Sequence, residues 1–378
     1  MNSRHQNVLL FAAASCFLPY ILSAVAIVVI AVYIFLMNEK DTQKKILGGV
    51  TNLFLYLFTA ITMFVAGIYD NWLGMGASLL FLFVLLIMNF SAAVCDKEFF
   101  IRLLKVITAM SLTLSFATFT EKLTGLILQN SQRCSAYCLN PNYLAELLMI
   151  SVLACAYLEL SRNAKMLYCY LVAIINIAAM LLSQSIFACI SLFVGLAVML
   201  LLMRRHIVFS FMFIFITALF VVIAMNPDLI PRFSEVPSTI SNRVMIWNAS
   251  IDSILNHPVF GRGFLTYHLV SGEPGCLYKG WHSHNLLIEM LLSFGVVGTV
   301  IISSYFALFF RRLNKITEML EDKMSISCFV IALIAAGIVH SLVDLTFLWC
   351  QTGLLGAIII GGGMGVAYSS VKKQKDIR

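Results

Sequence analysis

The sequence predicts an all-α fold, a polytopic bundle of transmembrane helices with one long external loop that contains short amphipathic helices. Of its 378 residues, 61% are hydrophobic and only 11% are charged, whereas a soluble domain carries about 25% charged residues. The apolar residues also form long runs, and about 20 such residues are enough to cross a hydrocarbon core of about 30 Å as a helix. Composition and run length together therefore exclude an ordinary soluble domain.

The number of spans depends on the first apolar run, 8–37, because ten further apolar runs between residues 46 and 370 are clear. A single helix over the first run would be about 45 Å long, which is long for one span and short for two. Pro19 lies where a break could divide it. A helical hairpin there gives about twelve spans, which we favour, and a single helix gives eleven.

The positions of the basic residues predict the orientation, because cytoplasmic loops of membrane proteins are enriched in Lys and Arg. When loop 38–45 is placed in the cytoplasm and the spans alternate, most of the 25 Lys and Arg residues lie on the cytoplasmic side. The prediction is a multi-pass protein in contact with membrane lipids. Its single membrane domain has three parts, an N-terminal transmembrane bundle (1–225), an external catalytic loop (226–283) and C-terminal transmembrane helices (284–378). No basic stripe with interleaved aromatic residues suggests nucleic acid.

The external loop contains a predicted amphipathic helix, Ser241–Leu255, on which Ser241 can act as the N-cap. Arg243 and Trp247 are four residues apart and share one face of this helix. One interpretation is an interfacial helix, with Trp at the depth of the lipid headgroups and Arg extending to water. The other is that Arg243 binds a phosphate at the membrane surface, because the planar guanidinium binds phosphate oxygens in pairs.

A second loop motif is Gly261-Arg262-Gly263. A Gly-x-Gly segment can bring backbone N–H groups close to an anion, and it can equally form a plain turn. The motif alone does not separate these two interpretations.

Two histidine motifs follow. His284 and Asn285 lie where the long loop enters the next apolar run, and Gly295 and Gly298 come later in that run. His340 and Asp344 lie near the outer end of a later span and, at i and i+4, share one helical face. Ionisable residues within membrane spans are rare and usually functional, although such a pair can also be a structural one that ties helices together. We expect His340 and Asp344 to form a hydrogen-bonded pair that faces the same cavity as His284.

These motifs resemble the O-antigen ligase and polysaccharide polymerase superfamily. The resemblance is carried by His284-Asn285 with the later Gly295-x-x-Gly298 and by their order after Arg243-x-x-x-Trp247 and Gly261-x-Gly263; Asn140-Pro141-Asn142 at the start of a span also fits. The resemblance covers most of the chain. The family has about a dozen helices with its large loop between the ninth and tenth, where the hairpin count also puts the loop.

The resemblance implies a glycosyltransferase of the bacterial cytoplasmic (inner) membrane that needs no metal and no cofactor. Its partners would be a glycan on undecaprenyl diphosphate and an acceptor glycan or lipid at the outer face. The implied catalytic residues are His284, which helps to activate an acceptor hydroxyl, and Arg243, which holds the diphosphate; we add His340 and Asp344. The substrate-binding candidates are Arg232, Arg262, Trp247, Asn285, Gly261 and Gly263. Many family members have Ser-Arg where this chain has Ser185-Ile186, and Arg232 or Arg262 could replace that missing arginine.

Several functions stay open from the sequence. A ligase, which moves a whole glycan to an acceptor, and a polymerase, which joins lipid-linked repeats, share these features. A lipid-linked glycan transporter or flippase is the rival from another class, but such proteins tend to have internal repeats and charged residues at mid-membrane. Here no repeat is visible and the ionisable candidates gather near one face, which favours an enzyme over a transporter or a structural scaffold.

Overall fold

The computed structural model describes residues 3–128, 133–226, 235–273, 276, 278–318 and 326–377. These residues form fifteen α-helices and no β-strand, which confirms the all-α prediction. The helices are α1 (Ser3–Ser15), α2 (Tyr20–Leu36), α3 (Lys40–Leu47), α4 (Val50–Ile68), α5 (Trp72–Val94), α6 (Lys97–Ile127), α7 (Pro141–Leu160), α8 (Met166–Leu182), α9 (Ile186–Leu202), α10 (His206–Met225), α11 (Val236–Asn256), α12 (Thr266–Gly272), α13 (Leu286–Glu318), α14 (Ile326–Ser341) and α15 (Cys350–Ile377).

Among the described residues, seven helices are long and apolar enough to cross a membrane, and four shorter apolar helices accompany them. The long ones are α4, α5, α6, α7, α10, and the apolar parts of α13 and α15; the short ones are α2, α8, α9 and α14. The chain is therefore a multi-pass membrane protein.

The first apolar run is divided into α1 and α2, as the hairpin interpretation requires. Pro19 directly precedes α2, where the absence of an N–H costs nothing because the first helical turn lacks acceptors. Carbonyl groups at the break still need donors. The buried Gln351 side chain of α15 supplies them, because its Nε2 donates to Cys16 O at 3.1 Å and to Leu18 O at 2.8 Å.

Close packing between α5 and α15 forms a central part of the bundle. A Cβ added to Gly361 would lie 2.0 Å from Met88 O, and one added to Gly365 would lie 2.4 Å from Ala92 O. The two backbones therefore touch only because these positions carry no side chain. Small residues at such contacts are typical of helix association in membranes, where dispersion replaces the hydrophobic effect.

Helix α13 is interrupted at Gly295, whose φ of 59° is left-handed. The segment after α11 packs into this break, so that Val296 N donates to Pro258 O at 2.9 Å and Val297 N to Val259 O at 3.0 Å. Irregular backbone at membrane depth needs such partners. The glycine of the motif thus anchors the long loop to the bundle.

The loop helix α11 is longer than the sequence predicted. It begins at Val236, with Pro237 in its first turn, and ends at Asn256. Ser241 is therefore inside the helix, and the prediction that it caps the helix was wrong. Proline is favoured in a first helical turn, so Pro237 marks the start of this helix better than Ser241 does.

The charge distribution predicts that α3 and α11 lie on opposite sides of the membrane. In intact cells, a membrane-impermeant maleimide should label Asp252→Cys on α11, whereas Lys44→Cys on α3 should react only after the membrane is opened. Both parent side chains are exposed. The unsubstituted chain gives the background from half-buried Cys276, and the reverse labelling pattern would contradict the orientation.

Candidate active site

His284 and Asp344 form the centre of the candidate site. His284 lies at the end of the long loop, just before α13, and Asp344 lies just beyond α14. His284 Nδ1 is 3.1 Å from Asp344 Oδ1. Asp344 is buried, whereas 25% of the His284 side chain is exposed. One partner is thus shielded from water, and the other is open to it.

Several donors hold the Asp344 carboxylate in place. Leu345 N donates to Oδ1 at 2.9 Å, and Asn142 Nδ2 donates to Oδ2 from the start of α7. Burial raises the pKa of the Asp344 carboxyl, but its hydrogen bonds with His284 and Asn142, together with the neighbouring imidazole of His282, outweigh burial and hold that pKa well below its usual range. Asp344 is therefore an ionised acceptor at neutral pH.

The ionised carboxylate fixes the tautomer of His284. Because a carboxylate only accepts hydrogen bonds, His284 Nδ1 carries the hydrogen that faces Asp344. In the neutral imidazole, the lone pair then lies on Nε2. This is the arrangement in which a histidine can take a proton from a hydroxyl group.

His282 also belongs to this cluster, although the sequence motifs did not predict a role for it. Its Nδ1 accepts the backbone N–H of His284 at 3.2 Å, and its Nε2 lies 3.7 Å from Asp344 Oδ1. Burial lowers the pKa of His282 to about 4, so its ring is neutral at pH 7. The available signal was the i, i+2 spacing, which places two side chains on one side of an extended segment.

Trp247 supports the segment that carries His284. Its Nε1 donates to Ser283 O at 3.1 Å from α11, while Ser283 N donates to Glu289 Oε2 at 2.7 Å. These bonds help to hold His284 in a left-handed backbone conformation, with φ of 55°. The observed role of Trp247 is positioning.

Asn285 has a similar role. Its Oδ1 accepts from Leu287 N at 3.0 Å and from Ile288 N at 3.1 Å, so it caps the start of α13. Its Nδ2 donates to Leu342 O at 3.0 Å, which joins α13 to the end of α14. The side chain thus positions His284 and Asp344 relative to each other.

The expected hydrogen bond between the side chains of His340 and Asp344 is not formed. Helix α14 ends at Ser341, so the two residues do not share a helical face. The fully buried His340 ring instead contacts Glu146 Oε2 of α7, and its Nδ1 is 3.3 Å from Thr346 Oγ1. His340 therefore ties α14 to α7.

Arg243 of α11 lies beside the site. It is half-buried, and its guanidinium carbon is 5.5 Å from the centroid of the Phe187 ring, at the start of α9. Burial lowers the pKa of Arg243, and the negative charge of Asp344 opposes this shift. The positive charge of Arg243 disfavours protonation of His282. Arg243 thus adds a cation next to the His–Asp centre.

Arg262 is not brought to His284. Arg262 forms an ion pair with Glu273, at 2.6 Å, and its guanidinium carbon lies 5.4 Å from the Tyr69 ring centroid. The positive charge of Arg262, which was a candidate for substrate binding, is therefore paired with Glu273. Arg232 lies outside the described residues.

Gly261 and Gly263 do not form an anion-binding loop, contrary to one of the two interpretations. Gly261 N donates to His257 O at 3.2 Å, and Gly263 N donates to Ser293 O at 2.8 Å. Both glycines have left-handed φ values, 63° and 90°, and a Cβ at Gly263 would lie 2.6 Å from Ala66 Cβ. The motif is a tightly packed turn.

The nitrogen and oxygen atoms at this site are of the types that bind metal ions. His282, His284 and Asp344 each offer one potential metal-ligand atom, and these three atoms lie within 4.8 Å of one another. Among the residues that the structure describes, this is the one group of three such side chains. Two histidines and a carboxylate suit zinc or another transition metal. The neighbouring Arg243 charge opposes a divalent cation and favours an anion.

Fold and site together define a multi-pass helical membrane protein with a His–Asp centre beside an arginine. Residues 171–303 match the family model described as O-antigen ligase. This match confirms the resemblance to the O-antigen ligase superfamily and implies a glycosyltransferase-like enzyme of the ligase or polymerase kind. The matched segment contains Arg243 and His284 and ends before Asp344. No curated protein matches the sequence.

The structural role of Gly263 is testable. Gly263→Ala should lower the free energy of unfolding by roughly 1–3 kcal/mol, because it combines left-handed strain with a clash against Ala66. Thermal unfolding in detergent measures this. Gly272→Ala is the control in the same loop, since nothing lies within 4 Å of its added Cβ. Unchanged stability of Gly263→Ala would contradict the packed turn.

Proposed function

We propose that the protein transfers a glycan from undecaprenyl diphosphate to a hydroxyl group of an acceptor glycan or lipid at the outer face of the cytoplasmic membrane. The observation that carries the proposal is the 3.1 Å contact between His284 Nδ1 and the ionised Asp344 carboxylate. This contact leaves Nε2 of a partly exposed imidazole as the proton acceptor. The family match supports the reaction class.

In the proposed step, the acceptor hydroxyl oxygen attacks the anomeric carbon of the donor glycan. A new carbon–oxygen bond forms as the bond from that carbon to the diphosphate oxygen breaks, and the bonding electrons leave with the diphosphate. His284 Nε2 takes the hydroxyl proton. Asp344 stabilises the resulting imidazolium through Nδ1.

Arg243 supports the departure of the diphosphate. A guanidinium pairs with phosphate oxygens through two parallel hydrogen bonds and stabilises the negative charge that grows on the leaving group. In this proposal, Arg243 supplies the positive charge that a divalent metal supplies in other glycosyltransferases. Metal independence is therefore part of the proposal.

The loop 226–283, together with His284, forms the catalytic part of this proposal, and the flanking helices form its scaffold. A rigid bundle that positions a functional loop is a common arrangement. Ligase and polymerase activities use the same bond-forming step and differ in the acceptor. Both remain within the proposed function.

His284→Ala should reduce glycan transfer by about 10²–10⁴-fold, because the proton acceptor is removed. His284→Gln should fail similarly, since an amide hydrogen-bonds but does not take the proton. Cells with either variant should accumulate lipid-linked glycan while the protein inserts at normal levels.

The matched control is His268→Ala in the same loop. His268 stacks on Trp281 with ring centroids 4.5 Å apart and takes no part in the His–Asp cluster. It should retain transfer. Purified His284→Ala that transfers glycan at the parent rate would remove His284 from the mechanism.

A further inference from the structure

Helix α11 connects the ends of two spans that are far apart in the sequence. The guanidinium carbon of Arg243, in its first half, lies 5.5 Å from the ring centroid of Phe187, the second residue of α9. At the other end, Nδ1 of the C-cap residue His257 lies 3.1 Å from the hydroxyl oxygen of Tyr69, which directly follows α4. Helices α4 to α9 are six successive apolar helices, and successive spans alternate in direction. The end of α4 and the start of α9 therefore lie on one face of the membrane, and α11 runs along that face.

The first part of α13 runs beside α11. Trp247 Nε1 donates to Ser283 O at 3.1 Å, just before α13 begins, and Val296 N donates to Pro258 O at 2.9 Å, just after the Gly295 break. The two contacts follow the same order in both segments, so α11 and the first part of α13 are parallel neighbours. One side of α11 is thus covered by protein.

An apolar stripe follows a side of α11 that protein does not cover. The stripe consists of four aliphatic residues with side chains that are 43–72% exposed: Ile240, Val244, Ile251 and Leu255. Their spacings of four, seven and four residues return to one face of a helix with 3.6 residues per turn. An exposed apolar surface of this kind marks an interaction site.

A polar stripe lies next to the apolar one. It consists of three exposed residues with spacings of seven and four: Ser241, Asn248 and Asp252. The exposed part of α11 is therefore divided lengthwise into an apolar side and a polar side. This division is typical of a helix that lies at the boundary between lipid and water.

The surroundings of the apolar stripe are also apolar and exposed. Phe187 and Ile190 of α9 are exposed beside the Arg243 contact, and Val296 and Val300 of α13 are exposed beyond the other end of the helix. Exposed apolar side chains on membrane spans face the acyl chains of lipids. The stripe thus continues the lipid-facing surface of the spans.

We propose that α11 is an interfacial helix, and that its apolar stripe inserts into the phospholipids of the adjacent leaflet while its polar stripe faces water. Helices of this kind lie in the plane of the interface, with the apolar face about 5–10 Å deep in the boundary between headgroups and acyl chains. Trp247, at the edge of the stripe, is a residue typical of that depth. The Gly295 break then turns α13 from the surface into the bilayer.

The test uses spin labels on the full-length protein in nanodiscs of phosphatidylethanolamine and phosphatidylglycerol. Single cysteines replace Val244 or Ile251 on the apolar stripe, and Asn248 or Asp252 on the polar stripe as matched controls. Collisions of each label with oxygen, which enters lipid, and with a water-soluble nickel chelate are measured. The unsubstituted chain gives the background from its two half-buried cysteines, Cys189 and Cys276.

The ratio of oxygen to nickel collisions should be severalfold higher on the apolar stripe than on the polar stripe. All four replaced side chains are exposed, so the labels fit without repacking. Equal ratios on the two stripes would overturn the proposal, because both would then face the same medium. An apolar stripe sheltered from both reagents would also overturn it, since a second copy or another protein would cover that face.

The depths of labels at Ile240→Cys and Leu255→Cys test the direction of the helix. These positions are fifteen residues apart, so a helix that crossed the bilayer would separate them by about 22 Å in depth. In an interfacial helix, the two depths should differ by less than about half that rise. A larger difference overturns the proposal. Glycan transfer has no part in these measurements, so their outcome is independent of the proposed function.

Discussion

The buried carboxylate of Asp344 is the group on which the proposed site depends. A buried charge is stable only when hydrogen bonds and opposite charge replace its water. Here the partners come from three parts of the chain: His284 at the end of the loop, Asn142 at the start of α7, and Leu345 after α14. The bundle must bring all three together for the carboxylate to stay ionised. The ionised state in turn determines which nitrogen of His284 can accept a proton.

Two breaks in the helices are paired with groups from distant parts of the chain. Gln351 satisfies the carbonyl groups between α1 and α2, and the segment at Pro258 satisfies the N–H groups at the Gly295 break. Irregular backbone is costly within a membrane unless protein groups pair with it. The Gly295 break also attaches the long loop to α13, so the loop has a defined position relative to the bundle.

Sequence patterns predicted the helices well, because long apolar runs leave few alternatives in a membrane protein. The His284 junction was also visible as a motif. Other features depended on where helices end: α14 stops at Ser341, so the i, i+4 spacing of His340 and Asp344 misassigned the partner of His340.

The most direct test of the central claim is a double-mutant cycle between His284 and Asp344. Glycan transfer by the purified parent, His284→Ala, Asp344→Asn and the double variant should be compared. Residues that act as one unit have strongly non-additive effects. The double variant should therefore be about as slow as His284→Ala alone, because Asp344 acts through the imidazole. Losses that multiply in the double variant would show independent roles and contradict the account.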